Sequence, residues 1–508
     1  MNLDPNTPVV VGVGQAAERI DDPTYRGMSP VELAAAAARA AVDDCGAEDV
    51  AAAIDTVAGV RQFEISGVIN APLGRSNNYP RSVANRIGAS PARAILEIVG
   101  GQGPQHLISE LAGEIAAGRS QVAMVFGSDA TSTLRYFAKA EARPDFTETV
   151  DGDLEDRGQG IEKLVSRYTV SHGLTSAPIQ YALLENARRA GTGLGPAEYR
   201  RRMGELFAPF TKIAASNPFA AAPVERTVDE LVTVTERNRM IAEPYPRLMV
   251  ARDQVNQGAA ALLMSVGAAR RLGVPEENWV YLHGHADLEE QALLERPDLG
   301  HAPSAVLAVR EALAMAGAGV DDIATFDLYS CFPVPVFNIC DGMGIAPDDP
   351  RGLTLTGGLP FFGGAGNNYS MHAVAETVAQ LRSTPGEYGL VGANGGILSK
   401  YSVGVYCSTP AEWKPDRSAQ AQRQVADWPT VPVTEHADGV GTVETYTVRR
   451  DDGRPTGIVI GRLDDGSRFL STTEDDELIA LLIDGDPLGH TVRVRSFDYG
   501  NRCTLARA

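Results

Sequence analysis

One arrangement of elements occurs twice in this chain and leaves few folds open. A strand, a helix and a strand are followed by a glycine-rich turn that opens a second helix. In the first copy, Val9-Val10-Val11-Gly12-Val13-Gly14 is a short β-branched run, and Ser29-Pro30 starts an alanine-rich helix. Gly46-Ala47 ends that helix before the strand Ile54-Asp55-Thr56-Val57. Ala94-Ile95-Leu96-Glu97-Ile98-Val99 then runs into Gly100-Gly101-Gln102-Gly103-Pro104, a helix, and the strand Val122-Ala123-Met124-Val125-Phe126. The second copy has the strand Trp279-Val280-Tyr281-Leu282-His283, a helix from Ser304 to Met315, and the strand Ile323 to Tyr329. A glycine loop from Gly363 to Asn368, a helix from Ser370 and the strand Gly389-Leu390-Val391-Gly392 complete it. This order predicts two similar α/β halves with helical crossovers between parallel strands. A pocket between the halves, at strand ends and helix N-termini, is the expected site.

The second glycine loop belongs to the stretch LTGGLPFFGGAGNNYSMHAVAE, from Leu355 to Glu376. Gly357, Gly358, Gly363, Gly364 and Gly366 crowd together there, with Leu359, Phe361 and Phe362 among them. A flexible linker is polar and Gly/Ser-rich, so this composition predicts an ordered loop that lets backbone or a ligand approach closely. Where each loop meets its helix, free N–H groups carry partial positive charge.

Between the halves, residues 131–245 read as an irregular, polar-helical insertion on the core. After Tyr406 a polar stretch through Trp413 to Trp428-Pro429 reads as a linker. Alternating strands follow, with turns at Asp451-Asp452-Gly453 and Asp464-Asp465-Gly466, predicting a small antiparallel barrel.

Composition narrows the function classes. A formal net charge of −20 argues against a nucleic-acid partner. No window is apolar enough for a membrane span, and the N-terminus lacks a secretory pattern. Cys45, Cys331, Cys340, Cys407 and Cys503 are odd in number and never form a CxxC pair, which fits a reducing cytoplasm and offers no metal framework. His283 and His285 face one side of a strand, with no third metal ligand in view.

These pieces, in this order, resemble the thiolase superfamily, in particular its sterol-carrier-protein-type branch. The matching stretches are VVVGVGQ at Val9, AMVFGSDATS at Ala123, SNPFAAAPVERTVDEL at Ser216, RNRMIAEPYPRLMVARDQVNQGAAALL at Arg237, DLYSCF at Asp327 and GGLPFFGGAG at Gly357. The barrel resembles the extra domain of thiolase-like proteins type 1. The resemblance implies an α/β thiolase fold of two βαβαβαββ halves with a loop domain, plus a small all-β C-terminal barrel. The halves would be 1–130 with 246–275, and 276–410; the loop domain 131–245; the linker 411–429; the barrel 430–508.

The resemblance also implies chemistry: a cysteine thiolate at a helix N-terminus, a histidine beside it, a second cysteine as acid/base, and an Asn or His oxyanion donor. The motif of the nucleophile, Cys-x-Ser-Gly, falls on Gly100-Gly101-Gln102-Gly103. His-Asp-Cys-Phe falls on Tyr329-Ser330-Cys331-Phe332, Gly-His-Pro on Gly363-Gly364-Ala365, and Cys-x-Gly on Ala393-Asn394-Gly395. Gly100, Tyr329, Gly364 and Ala393 thus stand at the reactive positions. Loss of a nucleophile from a catalytic triad costs ~10⁶ in turnover, so no catalytic residue of the thiolase kind is expected. The candidate ligand-binding set is Gly100, Gln102, Tyr329, Cys331, Gly363, Gly364, Asn367, His372 and Asn394.

The reading that follows is a CoA- or acyl-CoA-binding protein of lipid metabolism without thiolase activity, needing no cofactor or metal. One alternative is a divergent acetyl-CoA C-acyltransferase or acyl-CoA lyase using Tyr329, His372 or Cys331. The other is a scaffold subunit that recruits an acyl-CoA enzyme through the barrel, as a monomer or a dimer.

Overall fold

The computed structural model describes residues 3–66, 71–161, 166–450 and 454–506. The expected turn at Asp451-Asp452-Gly453 lies outside them. The first half begins with the strand Pro8–Ala17 and the helix Pro30–Asp44. Ser29 caps that helix by accepting from Glu32 N–H, while the Glu32 carboxylate accepts from Ser29 N–H at 2.8 Å. The helix rides directly on the strand because Gly12 and Gly14 lack side chains. A Cβ at Gly12 would lie 2.0 Å from the Ala41 carbonyl oxygen, and one at Gly14 2.1 Å from that of Ala37.

The first sheet runs in the order Pro8–Ala17, Gln257–Ser265, Val122–Asp129, Thr56–Gly59, Arg93–Leu96 and Glu155–Asp156. Thr56–Gly59 is parallel to both its neighbours, as the crossovers require. Gln257–Ser265, from beyond the insertion, closes the half by running antiparallel between two strands. The outer edge at Arg93–Leu96 is covered by the short charged pair Glu155–Asp156, and charge on a short edge strand discourages pairing with another sheet.

The second sheet has the order Ile323–Leu328, Tyr388–Gly395, Lys400–Cys407, Tyr281–Glu289. It lacks a counterpart of Arg93–Leu96. A loop passes there instead, and Leu328 N–H donates to the Leu353 carbonyl at 3.0 Å. Between the two sheets lie the helices Gly103–Ala116 and Tyr369–Ser383, one leaving each glycine loop. Their apolar faces meet in one core containing Leu107, Ile108, Leu111, Met371, Val374 and Val378. Both glycine loops therefore deliver helix N-termini into the central layer, as the repeated grammar predicts.

The insertion carries two long helices, Ala177–Thr192 and Pro196–Ser216. The stretch 411–429, expected as a linker, holds a helix, Ser418–Ala426, whose Ala421 and Val425 are buried. Asp287 N–H donates to Ser418 Oγ at 2.8 Å, which fixes it against the second half. Two apolar positions among Gln and Arg gave too weak a pattern to mark that helix in the sequence.

The C-terminal strands Gly439–Arg449, Thr456–Leu463, Arg468–Thr473, Thr491–Phe497 and Gly500–Leu505 close into a barrel through the pairing of the first two. It is not wholly antiparallel. Arg468–Thr473 and Gly500–Leu505 pair parallel, because the helix Asp476–Asp484 carries the chain across, in the manner of an OB-fold. The barrel is tied to the insertion: Arg189 meets Asp486 at 2.7 Å, and Asn186 Nδ2 donates to the Tyr446 carbonyl at 2.9 Å. The hairpin Met240–Ala242 and Tyr245–Pro246 extends the barrel sheet, with Ala242 opposite Arg449. Among the described residues no helix is long and apolar enough to cross a membrane.

Candidate functional site

The first glycine loop is braced by side chains from the second half. Asn367 accepts from Gly100 N–H at 3.0 Å through Oδ1 and donates to the Arg61 carbonyl at 2.7 Å through Nδ2. Ser370 Oγ donates to the Gly101 carbonyl at 2.7 Å. Gly100, with φ of +147°, sits in the region that glycine alone adopts with ease. The sequence places Gly100 in a candidate ligand-binding set, and the geometry around it is tight. A Cβ at Gly100 would meet Gln102 Oε1 at 2.0 Å, and one at Gly101 would meet the Tyr329 hydroxyl at 2.1 Å and the Asn394 carbonyl at 2.6 Å. Gln102, Tyr329, Cys331 and Asn394 are all buried. The Gln102 side chain, the Tyr329 hydroxyl and the Asn394 carbonyl fill the space that Gly100 and Gly101 leave.

Tyr329 packs edge-on against Tyr369, with ring centroids 5.4 Å apart, and burial raises its phenol above the ordinary value. Asn394 Nδ2 donates to the Tyr181 hydroxyl at 2.7 Å and lies 3.9 Å from Cys331 Sγ. Burial pushes the Cys331 thiol up to about 12, so it stays protonated and is a poor nucleophile. Ala393 is buried in the strand Tyr388–Gly395.

His372 stands apart from this group. It is fully buried on the helix Tyr369–Ser383, and its Nδ1 lies 2.6 Å from Gln15 Oε1. That oxygen can only accept, because Gln15 Nε2 donates to Glu376 Oε1 at 2.9 Å; Nδ1 therefore carries the proton. Nε2 is buried without a partner, against the Phe362 ring. Burial pushes the imidazole down to about 3. His372 is neutral and touches none of Gly100, Tyr329 or Cys331 through the described hydrogen bonds.

The second glycine loop is buried from Thr356 to Ser370 and packs against the segment that holds Ala251 and Arg252. Gly364 N–H donates to the Arg252 carbonyl at 2.8 Å, and Ala251 N–H donates to the Cys331 carbonyl at 3.0 Å. Gly363 approaches Gln257, whose Oε1 would lie 2.6 Å from an added Cβ. Beyond Ala251 and Arg252 is a cleft of about 210 Å³ lined by Arg135, Arg239, Arg247, Arg252, Asp253 and Pro360, among others. Asp253 pairs with Arg135 at 2.5 Å. Arg239, Arg247 and Arg252 have no ion-pair partner among the described residues. Arg252 Nε is buried and unbonded. Burial first, then Arg247 and Arg226, lowers the Arg252 guanidinium below its ordinary value. These three guanidinium groups thus share the wall with Arg135 and Asp253 in a protein of net charge −20. Sequence reasoning missed them. Arg239, Arg247 and Arg252 lie within the stretch from Arg237 that carried the resemblance, but only the fold brings them together beside Gly364.

Glu97, His106 and Glu110 approach closely enough to share a metal ion. Arg157 already occupies both carboxylates, meeting Glu97 at 2.7 Å and Glu110 at 2.6 Å. A cation there would have to displace a guanidinium, so the donor set reads as an ion-pair network.

Two sheets enclosing two helices, each entered from a glycine loop, define a thiolase fold, and the fold comparisons agree. The acetyl-CoA acetyltransferase from Syntrophomonas wolfei matches with a TM-score of 0.56 at 14% identity, over 79% of this chain and 99% of that one. The dimeric peroxisomal thiolase of Saccharomyces cerevisiae matches with a TM-score of 0.55 at 12% identity, over 80% and 98%. A monomeric SCP2-thiolase-like protein type 1 from Mycobacterium smegmatis is far more similar. It is 57% identical over 99% of this chain and 100% of its own, with a TM-score of 0.87. Residues 420–498 match the additional C-terminal domain of thiolase-like protein type 1. The chain belongs to the SCP2-thiolase-like protein type 1 family. A search of the curated proteins finds no match.

Proposed function

We propose that this protein binds CoA or a CoA ester in lipid metabolism and performs neither thiolysis nor condensation. The observation that carries the reading is the cleft lined by Pro360 of the glycine loop and by Arg239, Arg247 and Arg252, which have no ion-pair partner among the described residues. The phosphates of CoA match that charge, and the cleft abuts the loop toward which a thioester arm would extend. The absence of a side chain at Gly100 and Gly364, and the methyl group at Ala393, support a binding role without acyl-enzyme formation. The alternative enzyme reading is weakened by the protonated, buried thiol of Cys331 and by the separation of His372 from it.

Isothermal titration tests the proposal. CoA should bind, pantetheine should bind more weakly, and Arg247→Gln with Arg252→Gln should weaken CoA about tenfold, or ~1.4 kcal/mol. Equal affinity for CoA and pantetheine would remove the arginines from the argument. A spectroscopic thiolysis assay with short and long 3-ketoacyl-CoA should stay flat; turnover at enzyme-like rates would defeat the non-catalytic part. We also infer a monomer, because Glu155–Asp156 covers the edge of the first sheet. Sedimentation equilibrium should return the mass of one chain.

A further inference from the structure

A second cleft lies on the far side of the first glycine loop, near Ile98 and Ile397. Its volume is about 220 Å³, and its wall includes Ile98, Ala292, Leu293, Ile397, Glu290 and Arg296. At roughly 30 Å³ per water it holds the equivalent of about seven waters, enough for a short chain with a polar head.

Arg296 is the unusual member. It is only 2% exposed. Nε donates to the Gln291 carbonyl at 2.9 Å and Nη2 to the Ile397 carbonyl at 3.0 Å. Nη1 is buried with no partner, and no carboxylate pairs with Arg296 among the described residues. Burial pushes the group down to about 10, which leaves it charged at neutral pH. The nearby charge of Glu290 opposes that burial, but no hydrogen bond or ion pair joins it to Arg296 among the described residues, and a complementary anion would relieve the remaining cost.

The other charges around the cleft narrow the class of anion. Glu290 accepts from Gln291 N–H at 3.0 Å and from Ser304 N–H at 2.9 Å. Lys400 Nζ donates to the Gly160 carbonyl at 2.8 Å, and Glu289 also stands in the wall. Glu289 and Glu290 offset Arg296 and Lys400, so the wall carries no formal excess of positive charge, which disfavours a dianion such as a phosphate monoester. A singly charged carboxylate suits Arg296, and the apolar surface of Ile98, Leu293 and Ile397 suits a hydrocarbon body.

We propose that this cleft is a binding site for a short-chain monocarboxylate, its carboxylate on Arg296 and its chain against Ile98, Leu293 and Ile397. The site is separate from the arginine wall beside Gly364 and does not depend on CoA binding there.

The test titrates the full-length protein with hexanoate, methyl hexanoate and hexyl phosphate, followed by calorimetry and saturation-transfer NMR. Hexanoate should bind at least tenfold more tightly than either analogue. Ala292 is exposed at the cleft, so Ala292→Trp should block entry without disturbing the core, weakening hexanoate at least tenfold and leaving the affinity for CoA unchanged. Arg296→Gln should give the same loss; if that variant does not fold, Ala292→Trp decides. Hexanoate binding no better than its ester or the phosphate, undiminished in Ala292→Trp, or absent altogether would overturn the proposal.

Discussion

The two glycine loops have the same grammar and opposite fates. The loop at Gly100 is filled: Gln102, Tyr329 and Asn394 occupy the space beside it, and Asn367 and Ser370 hold its backbone. The loop at Gly364 backs onto a cleft with unpaired guanidinium groups. A run of glycines fixes how closely something can approach; it does not fix what approaches. At Gly100 and Gly101 the neighbours are the Gln102 and Tyr329 side chains and the Asn394 carbonyl. At Gly364 the neighbour is the backbone of Arg252, whose side chain lines the cleft.

The sharpest way to break this contrast is to add one methyl group on the filled side. Gly101→Ala should destabilise by about 3 kcal/mol, since the Tyr329 hydroxyl and the Asn394 carbonyl both stand within contact distance of the new atom. Adding Tyr329→Phe should restore about 1 kcal/mol by removing the hydroxyl; urea midpoints measure both. A neutral Gly101→Ala would mean that the space beside the first loop is not filled.

The pH dependence follows next in size. His372 titrates at about 3 in the fold, against about 6.5 in the unfolded chain. The unfolded state therefore binds more protons between those values, so stability rises with pH there and is complete above about 6.5. Lowering the pH from 6.5 to 5 should cost roughly 2 kcal/mol through this group. His372→Gln should remove that slope in urea titrations, and an unchanged slope would show that the imidazole is not buried and neutral.

On the open side the expected effects are smaller and opposed. Arg252→Gln should weaken CoA several-fold by calorimetry. It should also raise the melting temperature slightly, because a partly buried, unpaired charge is removed. Loss of affinity with loss of stability would instead make Arg252 a structural residue. The smallest effect concerns Cys331. Native protein at pH 8 should leave it unmodified by iodoacetamide, and Cys331→Ala should leave CoA affinity unchanged; rapid alkylation would reopen the filled loop as a reactive site.

Much of the fold was legible in the sequence. Ser29-Pro30 marks a helix start, and Gly100 to Pro104 and Gly363 to Asn368 mark two loop-to-helix turns, because capping and positive φ are local properties of a few residues. The Asp476–Asp484 helix and the parallel pairing beside it were not legible, since alternation along a strand does not report its partner's direction. The Ser418–Ala426 helix was hidden for want of a strong apolar stripe.

The site divides in the same way. The sequence alone determined which side chains are absent: no sulfur at Gly100 or Ala393 and no imidazole at Gly364. Only the tertiary structure decided what stands there instead, because Asn367 reaches Gly100, and Tyr329 and Asn394 reach Gly101, from more than two hundred residues away. The unpaired guanidinium groups of Arg252 and Arg296 are tertiary facts for the same reason. Whether a charge is compensated depends on distance and burial, and a linear chain carries neither.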